Sequence, residues 1–316
     1  MSGTVDRGKA KPPRRQTKVV TALVLAQVFF GLHYLAAKVL LETIPPRSWA
    51  VFRVAGAAVL LLALARALRR PLPSSGRDLA QLAFLSLFGV VINQLLFVEG
   101  LHRTTPSHSS IIMTAIPVMT LLFAVLLRRE RVSAIKIVAL SVSLAGVMLV
   151  IRPTGLDVSS RTLVGDVLTL INASSYALFL VLSRRLLARN DPLAATAVLM
   201  AFGTIVMTAL GLPQIVRFDP TLVPLPVWGL GLFIVVFPTA LAHFFNFWAL
   251  ARVESSLVAL FIYLQPVIAT VLSFVLLGER VGGMVLLGGA MVFLGVYMAL
   301  PTRRPARPEV EVTQGP

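Results

Sequence analysis

The side chains in this sequence that could bind a solute or exchange a proton are His33, Gln94, Ser110, Thr114, Asn172, Tyr176, His243, Asn246 and Tyr263, each inside an otherwise apolar run. Their chemistry is hydrogen bonding. A neutral imidazole or an amide both donates and accepts, and a phenol adds a ring face, which together suit an amphipathic solute or an organic cation. Ionisable groups are costly in hydrocarbon, so His33 and His243 are expected to face protein or water. For the hydroxyls and amides, hydrogen bonding between helices is as good a reading as solute contact. Glu99 is the clearest carboxylate inside an apolar segment, with His102 and His108 close by in sequence. Glu99 and His243 are the candidates for proton coupling, and for Glu99 a hydrated interfacial carboxylate is the competing reading.

Catalysis is not encoded in a recognisable form. The chain has no His-Glu-x-x-His, paired-aspartate or Gly-x-Ser-x-Gly motif, no cysteine, and no Gly-x-x-x-x-Gly-Lys-Ser/Thr loop to cradle phosphates. No enzyme activity, cofactor or metal is expected, and a gradient or exchange is a better energy source than nucleotide hydrolysis by this chain.

These side chains need elements that bring them to common faces. At helical spacing Phe30 and His33 share a stripe, as do Asn172, Tyr176 and Phe179. Ser107, Ser110, Thr114 and Pro117 follow an i, i+3, i+7, i+10 pattern, and Ser256, Ala259, Tyr263 and Pro266 repeat it. Pro117 and Pro266 are expected to kink their helices, each freeing a carbonyl near mid-span. Lys38, four residues before Glu42, reads as a snorkelling or paired cation, and Arg53 as an interfacial anchor. Gly282 with Gly289, and Gly288 with Gly295, read as close helix packing.

Composition sets the solvent. With 57% hydrophobic and 13% charged residues over 316 positions, the chain has too little polar material to cover a water-facing globule of its size. A helix needs about 20 apolar residues to cross about 30 Å of hydrocarbon. Ten such runs occur: Val19–Leu41, Ser48–Leu68, Leu79–Leu101, Pro106–Leu127, Ser133–Ile151, Gly165–Leu187, Leu193–Gly211, Val227–Ala251, Ser256–Leu277 and Gly282–Leu300. Backbone groups cannot go unpaired in lipid, and the runs lack the alternation of barrel strands, so helices are expected.

The runs repeat. Setting Pro117 on Pro266 without a gap places Gln94 and Phe97 on His243 and Asn246, Leu101 and Arg103 on Leu250 and Arg252, and Glu130-Arg131-Val132 on Glu279-Arg280-Val281. A slightly shorter shift places Phe30 on Tyr176, Lys38 on Arg184 and Pro46 on Pro192. The chain therefore reads as a duplicated five-helix unit, and because five is odd, the second copy enters the membrane from the opposite side. The expected fold is an all-α integral membrane protein with ten transmembrane helices as two inverted five-helix repeats. Its parts are a disordered basic cytosolic tail (1–18), a first repeat (19–151), an outer connecting loop (152–164), a second repeat (165–300) and a cytosolic tail (301–316). Most of the 29 Lys and Arg then fall on the side of the termini, as the positive-inside rule requires. The net charge of +16 is thus a topology signal, and nucleic acid is not an expected partner.

Asn93-Gln94-Leu95-Leu96-Phe97 leading to Gly100-Leu101, then Thr104-Thr105, Pro117 and Glu130-Arg131-Val132, resembles the drug/metabolite transporter superfamily in its EamA-type branch. The second copy has the matching Ala249-Leu250, Pro266 and Gly278-Glu279-Arg280-Val281. The resemblance implies a central cavity lined by helices one, three, four, six, eight and nine, and export of small metabolites, amino acids or drugs. Where the family often has Trp-Gly in the first helix, this chain has Phe30-Gly31. The function expected is secondary transport across the cytoplasmic membrane by alternating access, with both termini cytosolic. A membrane sensor or receptor, and after it an embedded enzyme, are the alternatives. The expected partners are a small-molecule substrate and the lipid bilayer, with a homo-oligomer left open.

Overall fold

The computed structural model describes residues 14–104, 109, 112–151, 160–268 and 283–300, and all its regular elements are helices. The sequence readings placed on Ser107, His108, Ser110, Gly282 and the Glu279-Arg280 turn, on most of the two tails and on most of the 152–164 loop fall outside the described residues. In chain order the helices are α1 (Arg14–Leu40), α2 (Pro46–Ala67), α3 (Gly76–Arg103), α4 (Ala115–Leu126) and α5 (Ala134–Ile151), followed by α6 (Ser160–Arg189), α7 (Pro192–Arg217), α8 (Leu225–Leu250), α9 (Ser255–Ile268) and α10 (Gly283–Ala299). Six of them, α1, α2, α3, α6, α7 and α8, are long and apolar enough to cross a membrane.

Local chemistry sets several ends. α2 and α7 begin with proline at the first helical position, where its missing N–H costs no hydrogen bond. Asp191 caps α7, its carboxylate accepting from the N–H groups of Leu193 and Ala194 at 3.0 and 3.1 Å. α2 and α4 close alike. Arg69 and Arg128 take the left-handed conformation (φ 50° and 52°), and the N–H groups of Arg70 and Arg129 reach back to the carbonyls of Ala65 and Ala124 at 2.8 and 2.7 Å. α1 starts at Arg14 and α6 at Ser160, each about one turn before its apolar run, because polar residues continue a helix until its backbone donors find caps or water.

The outward faces are apolar, unlike those of a soluble protein, while the interior combines an apolar core with buried polar side chains. Val59, Ile205, Leu286 and Tyr297 are exposed at 69, 67, 67 and 73%, while Arg53, Gln94, Asn172, His243 and Asn246 are buried. Apolar outside and hydrogen-bonded polar inside is the arrangement a lipid solvent selects. α2 packs along α7 and α5 along α10; the second half of α3 packs on α6, and α1 on the second half of α8. Under the sequence repeat, α2 corresponds to α7 and α5 to α10, and the α3–α6 contact corresponds to the α8–α1 contact.

α3 and α8 are each interrupted by a π-helical turn, Leu87–Ile92 and Val235–Leu241. These turns fall at places that match under the sequence repeat. In α8 the cause is visible: Pro238 lacks the N–H that would bond the Ile234 carbonyl, and the Thr239 hydroxyl donates to that carbonyl instead, at 2.8 Å. The extra residue in each turn rotates everything after it, which sets the direction of the side chains from Asn93 and Ala242 onward.

Candidate functional site

A cavity of about 530 Å³, including its open mouth, lies at the centre of the bundle. Its walls come from α1, α2, α3, the start of α4 with Met113 just before it, α6, α8 and α9. The π-turn in α3 is followed at once by Asn93 and Gln94, and that in α8 by His243 one residue on, so the two irregular turns aim polar side chains inward. π-turns are frequent at functional sites for this reason.

A chain of hydrogen bonds runs around the cavity. His243 donates from Nδ1 to the Thr239 carbonyl at 2.9 Å, which leaves Nε2 to accept from the Gln94 amide at 3.1 Å. Gln94 and His243 are repeat counterparts, 149 residues apart. Arg53 donates from Nη1 to His33 Nε2 at 2.9 Å and from Nε to the Thr239 hydroxyl oxygen at 3.3 Å. Asn246 donates to the Tyr176 hydroxyl at 2.7 Å. On the far wall Gln265 donates to Gln27 at 2.7 Å and accepts from the Tyr34 hydroxyl at 3.3 Å. Aromatic rings complete the enclosure: Phe97 stacks on His33 with centroids 5.1 Å apart, and Phe30 meets His243 edge-on at 5.2 Å.

The structure brings His33, Gln94, Tyr176, His243 and Asn246 to the cavity wall. Asn172 stands one layer behind, accepting from Asn93 at 2.8 Å. Thr114 is buried at the head of α4 between two cavity residues, Met113 and Ile116, but does not border the space itself. Tyr263 is wholly buried outside the cavity, and its hydroxyl has no hydrogen-bond partner among the described residues. Glu99 is not brought to the cavity. It sits at the end of α3, where Arg47 binds one carboxylate oxygen at 2.8 Å and Arg103 the other. Pro117 and Pro266 each follow an irregularity by about one turn: the helix is broken at Thr114, and α9 tightens to a 3-10 turn at Phe261–Tyr263.

Arg53 corrects the reading of an interfacial anchor. It is 1% exposed and borders the cavity, because its long side chain runs inward from α2 to partners on α1 and α8. Gln27, Tyr34, Asn93, Thr239 and Gln265 also belong to the network, although the sequence pattern does not single them out. Gln27, Phe30 and Tyr34 do follow an i, i+3, i+7 spacing in α1, a signal that extends the Phe30–His33 face by one turn.

Charged contacts collect at the helix ends in two groups. One joins Glu99 to Arg47 and Arg103, Thr104 to Asp166, and the Arg47 N–H to Gln214. The other joins Asp78 to Arg189 and Asn190, and Glu130 to Ser255, Ser256 and Lys136. Burial works to raise the pKa of Glu130, but the two serine hydroxyls, the Lys136 charge and the Ser256 N–H outweigh it and hold the carboxyl below its ordinary range.

The profile of the EamA-like transporter family matches twice, over residues 17–152 and 163–300. An "uncharacterized transporter" of Archaeoglobus fulgidus is 27% identical, covering 89% of this chain and 97% of its own length. The "uncharacterized transporter YyaM" of Bacillus subtilis is 24% identical over 86% of this chain and 90% of its own length. A chloroplastic WAT1-related protein of Arabidopsis thaliana is 24% identical over 88% of this chain and 68% of its own length. A crystal structure with 18% identity superposes at a TM-score of 0.72, covering 91% of this chain and 97% of the other, which shows a shared fold. With a twofold profile match over most of its length and an apolar, all-helical bundle around a polar cavity, the chain belongs to the EamA-like transporter family and is a multi-pass membrane transporter of the drug/metabolite transporter type.

Proposed function

We propose that the protein moves a small organic solute outward across the cytoplasmic membrane by alternating access, driven by a gradient or by exchange, through the central cavity. The fold in this reading has ten spans arranged as two inverted five-helix units, with both termini cytosolic. The observation that carries it is the Gln94–His243 hydrogen bond. Two side chains at the same position of the two copies meet at the cavity wall, so the site lies on the boundary between the copies, where inverted-repeat transporters bind and rock. The two groups of charged contacts suit opposite membrane faces. Making and breaking them in turn would close one mouth while the other opens.

Reconstitution into proteoliposomes tests transport. Counterflow with pooled amino acids, nucleosides, sugars and organic ions, with and without a proton gradient, is expected to show exchange of at least one solute class. Exchange no greater than in protein-free vesicles would overturn the reading.

Topology has its own check in a chain without cysteine. Arg131→Cys and Arg280→Cys occupy counterpart positions and are expected to react with a membrane-impermeant thiol reagent from opposite sides. Labelling from the same side would remove the inverted arrangement.

A further inference from the structure

Arg53 borders the cavity with 1% of its surface exposed, and its guanidinium stays charged under any physiological condition. Its two bonds in the protein go to neutral acceptors, His33 Nε2 and the Thr239 hydroxyl. Among the described residues no carboxylate borders the cavity. Glu99 is held by Arg47 and Arg103, Glu130 by Ser255, Ser256 and Lys136, and Asp78 by Arg189, all at helix ends. A buried cation without a counter-ion is strongly unfavourable, because two neutral hydrogen bonds do not replace the water it has lost.

A second observation is independent of the charge. Gln27 and Asn246 both border the cavity, and each has one buried amide atom, Nε2 and Oδ1, without a hydrogen-bond partner. Turning either amide over exchanges which of its atoms is left without a partner and does not satisfy both. The cavity wall thus carries one positive charge and two amide side chains with unused hydrogen-bonding capacity, beside aromatic rings.

We propose that the cavity selects a small organic monocarboxylate with an apolar or aromatic body. Its carboxylate is taken by Arg53 and its remaining polar atoms by Gln27 and Asn246. A single guanidinium matches a single negative charge, in the forked geometry that carboxylates accept. An organic cation, which the aromatic residues alone would suit, is repelled by Arg53 and finds no acid to hold it. This inference rests on the cavity being the transport site.

The test is a head-group series read first on the wild-type protein. Purified protein is titrated calorimetrically with 3-phenylpropionate, its neutral amide and 3-phenylpropylammonium, and with isovalerate, isovaleramide and isoamylammonium. The carboxylates are expected to bind roughly tenfold to a hundredfold more tightly than the amides, the range a charge-assisted hydrogen bond supplies, with no binding of the ammonium ions. Arg53→Lys should keep the anion preference at lower affinity. Arg53→Gln should bring the carboxylate-to-amide ratio to about one, since the charge is gone while an amide donor stays. The wild-type series decides the matter even where a variant does not fold. An amide or ammonium ion that binds as tightly as its carboxylate, no carboxylate binding at millimolar concentration, or a folded Arg53→Gln with an unchanged ratio would each overturn the proposal. Counterflow of the same six solutes separates the two readings. A carboxylate that binds but does not exchange supports the anion site and overturns transport through it. An amide or ammonium ion that exchanges ahead of its carboxylate supports transport and overturns the anion site.

Discussion

Asn246→Trp is expected to bring solute exchange down by on the order of a hundredfold or more, while the protein still folds and inserts. Asn246 is 2% exposed, borders the cavity from α8, and keeps only one side-chain bond, to the Tyr176 hydroxyl. An indole at this position projects into the cavity that Asn246 borders and takes up space a solute needs. Leaving the buried Tyr176 hydroxyl without Asn246 costs about 1–3 kcal/mol, which lowers stability without unfolding the bundle. A solute that must share the space meets an overlap worth about 3 kcal/mol, and at about 1.4 kcal/mol per tenfold that alone removes roughly two orders of magnitude of affinity. Ile205→Trp, on an outward face that is 67% exposed, is the control and should leave exchange unchanged. Counterflow of any solute the wild type exchanges, beside size-exclusion chromatography in detergent, makes the measurement. Normal exchange by a folded Asn246→Trp would show that solutes cross elsewhere and would remove the cavity from the mechanism.

The side chains that converge on this cavity are partly legible in the amino-acid sequence. His33, Gln94, Tyr176, His243 and Asn246 are polar or aromatic residues in apolar runs, and the physics that forbids them a lipid face also turns them inward. Arg53 is misread from sequence because position along a helix is a poor guide to depth for a long side chain. It lies a few residues into α2, but its acceptors are on α1 and α8, and nothing local to α2 announces them. Gln27 and Gln265 pair across 238 residues, beyond the reach of any periodicity.

Helix limits show a similar division. The run ending at Gly211 continues as α7 to Arg217, through Pro213, because neighbouring helices re-satisfy backbone groups that Pro and Gly would leave free in water. A Cβ at Gly211 would stand 2.9 Å from the Val51 side chain, so the glycine serves the α2–α7 contact rather than ending the helix. The two π-turns leave no mark on the hydrophobic pattern, since one added residue shifts a face by little more than a quarter turn and the runs are apolar all round. Only Pro238 and Thr239 hint at the one in α8.

Gly295→Val is expected to be the most damaging single change outside the cavity, lowering stability by about 1–3 kcal/mol or preventing accumulation of folded protein. A Cβ on Gly295 would stand 2.1 Å from the Ser143 hydroxyl and 2.6 Å from the Ala139 carbonyl, and one on Gly146 would stand 2.6 Å from the Gly288 carbonyl. Ser143 can rotate away, but the carbonyls are backbone and cannot yield without parting α5 from α10. Lipid tails are as apolar as leucine, so no hydrophobic force reunites two membrane helices once close packing is lost, and small residues at the seam are what allow that packing. Gly289→Ala is the control: among the described residues its added Cβ meets only Val267, at 3.5 Å, an ordinary contact, so its effect should stay within about 0.5 kcal/mol. Thermal denaturation in detergent compares the variants, and a Gly295→Val melting point equal to that of the wild type would show that the α5–α10 seam is looser than its geometry. Gly295→Ala, the milder substitution, adds a test of how scaffold and site divide. Among the described residues neither α5 nor α10 contributes a side chain to the cavity, so whatever fraction of Gly295→Ala folds should rank solutes as the wild type does. A changed ranking would instead mean that the α5–α10 pair transmits its packing to the site, and that the moving unit extends to helices with no described residue in its wall.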